Sequence, residues 1–282
     1  MRLTHPLAGL PPPRPEARPL LEGLTPDQAQ AVLHGRGPLL LLAGPGAGKT
    51  RTLTHRAAYL ITTGAARPSE ILAVTFSVRA AGELRLRLAN LLGRERARGV
   101  TAATFHAVCA RLLREHAHLF GRTDRYTIYD QGDVRRVIEQ LAADRGRPLL
   151  RQALKAYGQP SAVKLQAMLS LAKSGLCNPE HCGREDQRGG LIMAIWRDCE
   201  AELRSSNAFD FDDLLWFAVR LLREHRLRAR WIRRRFRFVL VDKYQDINDA
   251  QAELVWLLAG SDGNLTAVGD EARWGSLWRA VS

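Results

Sequence analysis

The feature that most constrains the fold of this chain is an eight-residue segment, AGPGAGKT, at residues 43–50. It directly follows an apolar run at residues 39–42 and directly precedes a stretch with helical periodicity. The pattern is typical of a phosphate-binding loop, with Ala43 in place of the first glycine. Such glycines allow backbone N–H groups to approach phosphate oxygens, and the N-terminus of the following helix adds a favourable dipole.

Two side chains of this segment and one distant carboxylate predict a magnesium–triphosphate site. Lys49 is expected to neutralise the β and γ phosphates, and Thr50 to offer its hydroxyl to Mg²⁺. Asp242 follows another apolar run, residues 236–241. Because the carboxyl ends of parallel strands share one edge of a sheet, Asp242 is expected near the loop, where it would hold the same Mg²⁺.

The rest of the chain has the pattern of a parallel α/β sheet. Short apolar runs alternate with amphipathic stretches from about residue 24 to residue 118, and a second group of runs follows near the end. A helix capped by Asn248 is expected between the last two runs. The predicted strands are residues 38–43, 71–75, 100–104, 236–241 and 264–268.

Four segments are predicted in order along the chain. Residues 1–20 are proline-rich and are expected to form a flexible lead-in. Residues 111–206 contain no convincing strand run, carry the candidate N-caps Asp130 and Ser161, and are expected to form an all-helical insertion. Residues 21–110 and 207–282 are the two parts of the sheet domain.

Composition adds a partner class and a compartment. The 42 Lys+Arg against 29 Asp+Glu give a formal charge of +13, which favours a polyanion such as nucleic acid. The same excess is also what a coding bias towards arginine would produce, since only five of the basic residues are lysines. Four cysteines make no disulfide framework, and no signal peptide is recognisable, so a cytoplasmic location is expected.

Seven segments in order, the phosphate loop and six others, resemble the Rep/UvrD/PcrA helicases of superfamily 1. This resemblance implies a RecA-like P-loop domain with an inserted helical subdomain, ATP and Mg²⁺ as cofactors, and single-stranded DNA as partner for 3′ to 5′ translocation. The six are 24–28 (LTPDQ), 73–81 (AVTFSVRAA), 103–107 (ATFHA), 207–215 (NAFDFDDLL), 242–246 (DKYQD) and 268–270 (VGD).

The resemblance also implies roles for individual residues. Gln28 would read adenine, and Arg51 would lie near the base. A flat aromatic ring can stack on a base whatever its identity, which suits Phe76 and Trp278. The full nucleotide set is then Gln28, Ala43, Gly44, Pro45, Gly46, Ala47, Gly48, Lys49, Thr50 and Arg51, and the DNA set is Phe76, Thr104, His106, Trp278 and Arg279.

The sequence departs from the family pattern at two catalytic positions. Lys243 stands where the family has a glutamate that activates water, and Arg273 stands where it has a glutamine that senses the γ-phosphate. Losing a general base typically costs about 10²- to 10⁴-fold in rate. The sequence also stops at Ser282, before the motifs of the family's second motor domain. We therefore expect ATP binding with weak or no hydrolysis.

Three interpretations are compatible with these residues. The chain is either such a helicase module or a non-catalytic single-strand DNA-binding or regulatory protein that uses the helicase fold, with a helicase half or another protein as partner in trans. An inert fragment of a split helicase gene is the third interpretation. The basic run at residues 226–237 (RLRARWIRRRFR) is equally open, as a DNA-binding patch or as a solvated helix face.

Overall fold

The computed structural model describes residues 2–3, 14–144, 146, 161–177, 187–260 and 263–270. Its strands are β1 Arg2–Leu3, β2 Leu39–Leu42, β3 Ile71–Thr75, β4 Thr101–Thr104, β5 Thr127–Tyr129, β6 Ala208–Asp210, β7 Phe238–Val241 and β8 Leu265–Gly269. Its α-helices are α1 Pro26–Leu33, α2 Lys49–Thr62, α3 Val78–Leu92, α4 Arg94–Arg98, α5 Phe105–His116, α6 Gln131–Ala143, α7 Ser161–Ser174, α8 Gln187–Ser205, α9 Phe211–Glu224, α10 Arg226–Arg235 and α11 Asp249–Ala259.

The chain divides into two compact units. The first contains the described residues of segments 1–107, 221–247 and 251–282, and the second those of segments 108–220 and 248–250. The first unit is interrupted between residues 107 and 221, a longer stretch than the insertion at 111–206 that the sequence suggested. None of the helices in the described part of the chain is long and apolar enough to cross a bilayer.

The first unit is built on a six-stranded sheet with the order β1-β2-β8-β7-β3-β4. The five strands β2, β8, β7, β3 and β4 are parallel to one another, and the short β1 pairs antiparallel with β2 at the edge of the sheet. The predicted parallel α/β sheet is therefore confirmed, and all five predicted strands are present. Since the strands run in one direction, the residues that follow β2, β3, β4, β7 and β8 meet at one edge, which we call the carboxyl edge.

The apolar runs form strands because both faces of the sheet are covered. Strands β3 and β7 are buried at every position, as expected for strands with helices on both sides. Small residues Ala57 and Ala58 of α2 are at most 1% exposed and allow the helix to pack closely on the sheet. The core of this unit also contains Leu84 and Leu88 of α3.

One arginine is fully inside this unit. The Arg56 side chain donates from Nε to Thr266 Oγ1 (2.8 Å) and from its terminal nitrogens to the backbone oxygens of Ala31 (3.2 Å) and Gly35 (3.0 Å). Burial lowers the pKa of Arg56 to about 10. Because the last carbonyls of a helix lack partners within it, this guanidinium satisfies the end of α1 and joins it to α2 and β8.

The N-terminal lead-in is partly structured. Residues Pro15–Leu21, which we placed at the end of a flexible segment, form a 3-10 helix in which Ala17 and Leu20 are buried. Arg14 donates to the backbone oxygen of Thr63 at 2.9 Å. Prolines are compatible with the start of a helical turn, so a proline-rich sequence does not by itself predict flexibility.

The second unit contains two short strands, β5 and β6, that are absent from the predicted strands. Strand β5 pairs in parallel with β6, so the expectation of an all-helical insertion is wrong at residues 127–129. Three residues are too few for a hydrophobic alternation to be recognised, and the strand depends on its distant partner. The predicted cap Asp130 is confirmed, because its side chain accepts from the Asp133 N–H at the start of α6.

Charged side chains are also buried in the second unit. Lys173 Nζ lies 2.6 Å from Asp210 Oδ2 and 2.7 Å from Asp213 Oδ1, and all three residues are at most 6% exposed. Arg122 makes a two-pronged pair with Glu200, with both distances at 3.0 Å. Pairing is what makes such charges tolerable away from water, and removing one partner of a buried pair is strongly destabilising.

Candidate nucleotide-binding site

The loop at residues 43–48 lies between β2 and α2, at the carboxyl edge of the sheet. Gly46 and Gly48 have φ angles of +75° and +77°, a region that favours glycine. A Cβ atom at Gly48 would also lie 2.7 Å from Gln28 Nε2. The loop therefore takes a shape that side chains at these two positions would disrupt.

Several backbone N–H groups of the loop remain available to a ligand. Within the described residues, those of Gly46, Gly48, Lys49 and Thr50 have no hydrogen-bond acceptor. The first helical bond of α2 comes later, from Thr52 N to Gly48 O at 2.9 Å. Such free donors at a helix N-terminus form an anion-binding site, so the loop fits the phosphates of a nucleotide.

The Lys49 ammonium is held inside this loop. Its Nζ donates to the backbone oxygens of Ala43 (2.6 Å) and Gly44 (2.9 Å) and to Asp270 Oδ1 (2.7 Å). An ammonium has three donors, so all of them are used. A phosphate oxygen that binds Lys49 must therefore replace one of these acceptors, and Asp270 is the one that carries a competing charge.

Thr50 and Asp242 form the candidate magnesium site. The Thr50 hydroxyl lies 3.2 Å and 3.1 Å from the two carboxylate oxygens of Asp242. Asp242 is 3% exposed, and this burial raises its pKa, while the Thr50 hydrogen bond and the Lys243 charge partly offset the shift. Magnesium is usually held by one or two protein oxygens together with phosphates and water, so this pair fits the ion.

The candidate adenine contacts lie beside the loop. Gln28 Nε2 donates to Ala47 O at 2.9 Å, and its Oε1 accepts from the Thr25 N–H at 3.0 Å. One N–H and one lone pair of this amide are left for a base. Arg51 is exposed, with its guanidinium 3.4 Å from Glu22 O. The structure brings both side chains to the same end of α2 as the loop.

Lys243 lies directly after Asp242, as the sequence requires, and is exposed. Its backbone has φ +59° and ψ +49°, in the left-handed region that side chains rarely adopt. It is followed by a short 3-10 helix, Tyr244–Asp246. The position at which the resemblance implies a glutamate is thus an exposed lysine that follows β7.

Three of the five candidate DNA contacts lie at the same edge. Phe76 follows β3 and is 60% exposed. Thr104 ends β4, opposite Thr75 in the sheet register, and its Oγ1 accepts from the Ala107 N–H at 3.2 Å. His106 is half-buried in the first turn of α5. The other two contacts, Trp278 and Arg279, lie outside the described residues, as does Arg273.

Two residues of this site, Asp270 and Gln245, have no individual role in the predictions from sequence. Asp270 pairs with Lys49, and its own N–H donates to Gln245 Oε1 at 3.2 Å. The signal that points to Asp270 is the sheet register, in which Leu42 lies opposite Gly269. That register places the residue after β8 beside the start of the phosphate loop.

Comparison with known proteins places this geometry in a family. The model for the UvrD/REP helicase N-terminal domain matches residues 24–273. The ATP-dependent DNA helicase UvrD1 of Mycobacterium tuberculosis is 39% identical over 260 residues, which are 90% of this chain and 33% of that protein. The ATP-dependent DNA helicase PcrA of Staphylococcus aureus is 33% identical over 264 residues, with 93% and 35% covered.

The match to UvrD1 of Mycobacterium leprae is similar, at 38% identity over 269 residues. The chain spans about a third of the length of these curated relatives. The family model, by contrast, covers most of this sequence, including the loop, Asp242 and the strands between them. The chain therefore belongs to the UvrD/REP helicase N-terminal domain family.

Proposed function

We propose that this chain is the ATP-binding, single-strand DNA-engaging domain of a UvrD-like 3′ to 5′ DNA helicase or translocase. One observation carries the proposal. The free N–H groups of the loop, the Lys49 ammonium and the Thr50–Asp242 pair converge at one edge of the sheet. The names of the relatives, ATP-dependent DNA helicases, support ATP and DNA as the ligands.

The residues at this edge have distinct tasks in binding ATP. The N–H groups of Gly46, Gly48, Lys49 and Thr50 bind phosphate oxygens, and the Lys49 ammonium balances their charge. Thr50 and Asp242 would hold Mg²⁺, which would supply charge neutralisation on the terminal phosphates. Lys49 exchanges Asp270 for a phosphate oxygen, so nucleotide binding releases the residue that follows β8.

Hydrolysis is proposed to be impaired because no general base occupies position 243. A carboxylate there would accept a proton from the attacking water, whereas the Lys243 ammonium has no lone pair to do so. The substitution also changes the local charge by two units beside the phosphates. This observation favours the second candidate function as well, a regulatory protein that holds ATP and single-stranded DNA without turnover.

The DNA contacts are proposed to involve Phe76, Thr104 and His106. Phe76 exposes an apolar ring beside the register pair Thr75 and Thr104. Stacking on such a ring is independent of base identity, which suits a protein that moves along any sequence. A small hydroxyl and an imidazole next to the ring suit contacts with the phosphates between bases.

Replacing Phe76 with alanine tests this part of the proposal. We expect the affinity for a fluorescent single-stranded oligonucleotide, measured by anisotropy, to fall about 5- to 140-fold, since a stacked base contributes about 1–3 kcal/mol. ATP affinity should not change. Leu86→Ala is the matched control, because Leu86 is 64% exposed on α3. Equal DNA binding by the two variants would remove Phe76 from the DNA site.

A further inference from the structure

The basic run at residues 226–237, which the sequence did not assign to either of two roles, lines a large open cavity of about 710 Å³ in the first unit. We call it the arginine surface. Leu227, Phe236 and Ala259, the last residue of α11, supply its apolar lining. Its five arginines are Arg226, Arg230, Arg233, Arg234 and Arg237.

The spacing of these arginines places them together. Residues 226, 230, 233 and 234 recur at helical intervals on α10, so they share one face. Like charges at that spacing destabilise a helix, and this row therefore does not serve the stability of α10. Among the described residues, Arg226, Arg230 and Arg234 have no carboxylate partner.

The other two arginines are held in place. Arg237 pairs with Glu70 at 3.3 Å, and Arg233 donates to the backbone oxygen of Leu257 at 3.3 Å. A Cβ atom at Gly260 would lie 2.4 Å from Arg233 Cδ, so a glycine with φ +62° leaves room for this side chain. The cavity thus has two fixed guanidinium groups and three uncompensated ones.

Exposed apolar side chains stand beside the charges. Leu227 is 83% exposed and Trp231 is 52% exposed, one helical turn apart on α10. The Arg235 guanidinium lies 5.7 Å from the Trp231 ring centroid. Positive charge with an exposed aromatic ring is the combination by which proteins bind single strands without sequence preference, through phosphate contacts and base stacking.

The arginine surface is separate from the nucleotide and DNA contacts described above. Arg237 immediately precedes β7, whereas Asp242 immediately follows it. The surface therefore lies at the amino ends of the parallel strands, and the phosphate loop and Phe76 lie at the carboxyl edge. A four-residue strand separates the two edges by about 13 Å of backbone.

We propose that the arginine surface is a second binding site for single-stranded DNA, on the edge of the sheet opposite the nucleotide. The uncompensated arginines bind the phosphates, and Trp231 and Leu227 contact unpaired bases. Duplex DNA fits less well, since its bases are stacked and offer no ring to Trp231. The site goes beyond the proposed function, which uses only the carboxyl edge.

The test is the triple variant Arg226→Ala, Arg230→Ala and Arg234→Ala. Each lost phosphate contact lowers the slope of log affinity against log salt by about 0.7, so the slope for a single-stranded oligonucleotide should fall by about 2. At about 0.1 M salt this corresponds to roughly 100-fold weaker binding. Affinity for fluorescent ATP should stay unchanged, which also shows that the variant is folded.

The matched control replaces Arg18, Arg125 and Arg228, which are exposed and do not line the cavity, with alanine. It changes net charge equally and should leave the slope nearly unchanged. An equal loss in both triples, or no loss in the first, overturns the proposal. A competition experiment with a polyglutamate peptide gives a further contrary outcome. If the peptide displaces DNA from the unmodified chain but not from the triple variant, and binds the unmodified chain more tightly than DNA does, the partner is an acidic protein segment and the proposal is overturned.

A further comparison separates this site from the carboxyl edge. With an oligonucleotide long enough to contact both edges at once, the free-energy losses from the two edges should add in a chain that also carries Phe76→Ala, because distant contacts act independently. If Phe76→Ala alone has no effect while the arginine triple does, the carboxyl-edge proposal fails and this one stands. The reverse result overturns this one alone.

Discussion

Replacing Lys49 with alanine is expected to weaken binding of fluorescent Mg·ATP by more than about 100-fold, which amounts to loss of binding in a titration. The Lys49 ammonium donates to two loop carbonyls, at 2.6 and 2.9 Å, so the substitution removes a phosphate ligand and support for the loop shape. Hydrogen bonds to charged groups contribute about 1.5–3 kcal/mol each, which gives the expected magnitude.

Lys164→Ala is the control for this experiment. Lys164 is an exposed lysine of α7 in the second unit, so its loss changes the net charge equally without touching the loop. We expect it to bind ATP like the unmodified chain. If Lys49→Ala also binds ATP normally, the loop at residues 43–50 is not the phosphate site.

Replacing Lys243 with glutamate is expected to restore a catalytic group. With the second motor domain of a UvrD-like relative supplied in trans, DNA-stimulated phosphate release should rise about 10²- to 10⁴-fold over the unmodified chain. Without that domain the gain should be small, because the arginines that a second domain contributes are worth about 10³- to 10⁵-fold in comparable phosphoryl transfers.

Lys243→Gln separates the two effects of this substitution. It removes the positive charge next to Asp242 but supplies no base, so it should leave phosphate release low. Release as fast with glutamine as with glutamate would show that charge, and not proton transfer, limits the reaction. Turnover by the unmodified chain alone would show that the missing base does not block hydrolysis.

The parts of the site that the sequence predicted are local or follow from strand direction. The phosphate loop is recognisable because its glycines and Lys49 are contiguous between a strand and a helix. Asp242 is predictable because parallel strands end at one edge, and it lies 3.1 Å from the Thr50 hydroxyl. Neither inference needs the order of strands within the sheet.

Other parts depend on which strands are neighbours, and the sequence does not show this. Strand β8 is far from β2 along the chain but adjacent to it in the sheet, and only this adjacency places Asp270 next to Lys49. Arg56 looks like a polar-face residue of α2, yet its partner Thr266 is 210 residues away. Periodicity reports on local structure and carries no information on such pairs.

The most direct test of the proposed phosphate site is amide hydrogen exchange in the loop. On addition of Mg·ATP, the N–H groups of Gly46, Gly48, Lys49 and Thr50 should exchange more slowly, because phosphate oxygens become their acceptors. In Lys49→Ala they should exchange as in the free protein. Bound ATP that leaves exchange at residues 43–50 unchanged, while protecting another segment, would contradict the assignment of the loop as the triphosphate site.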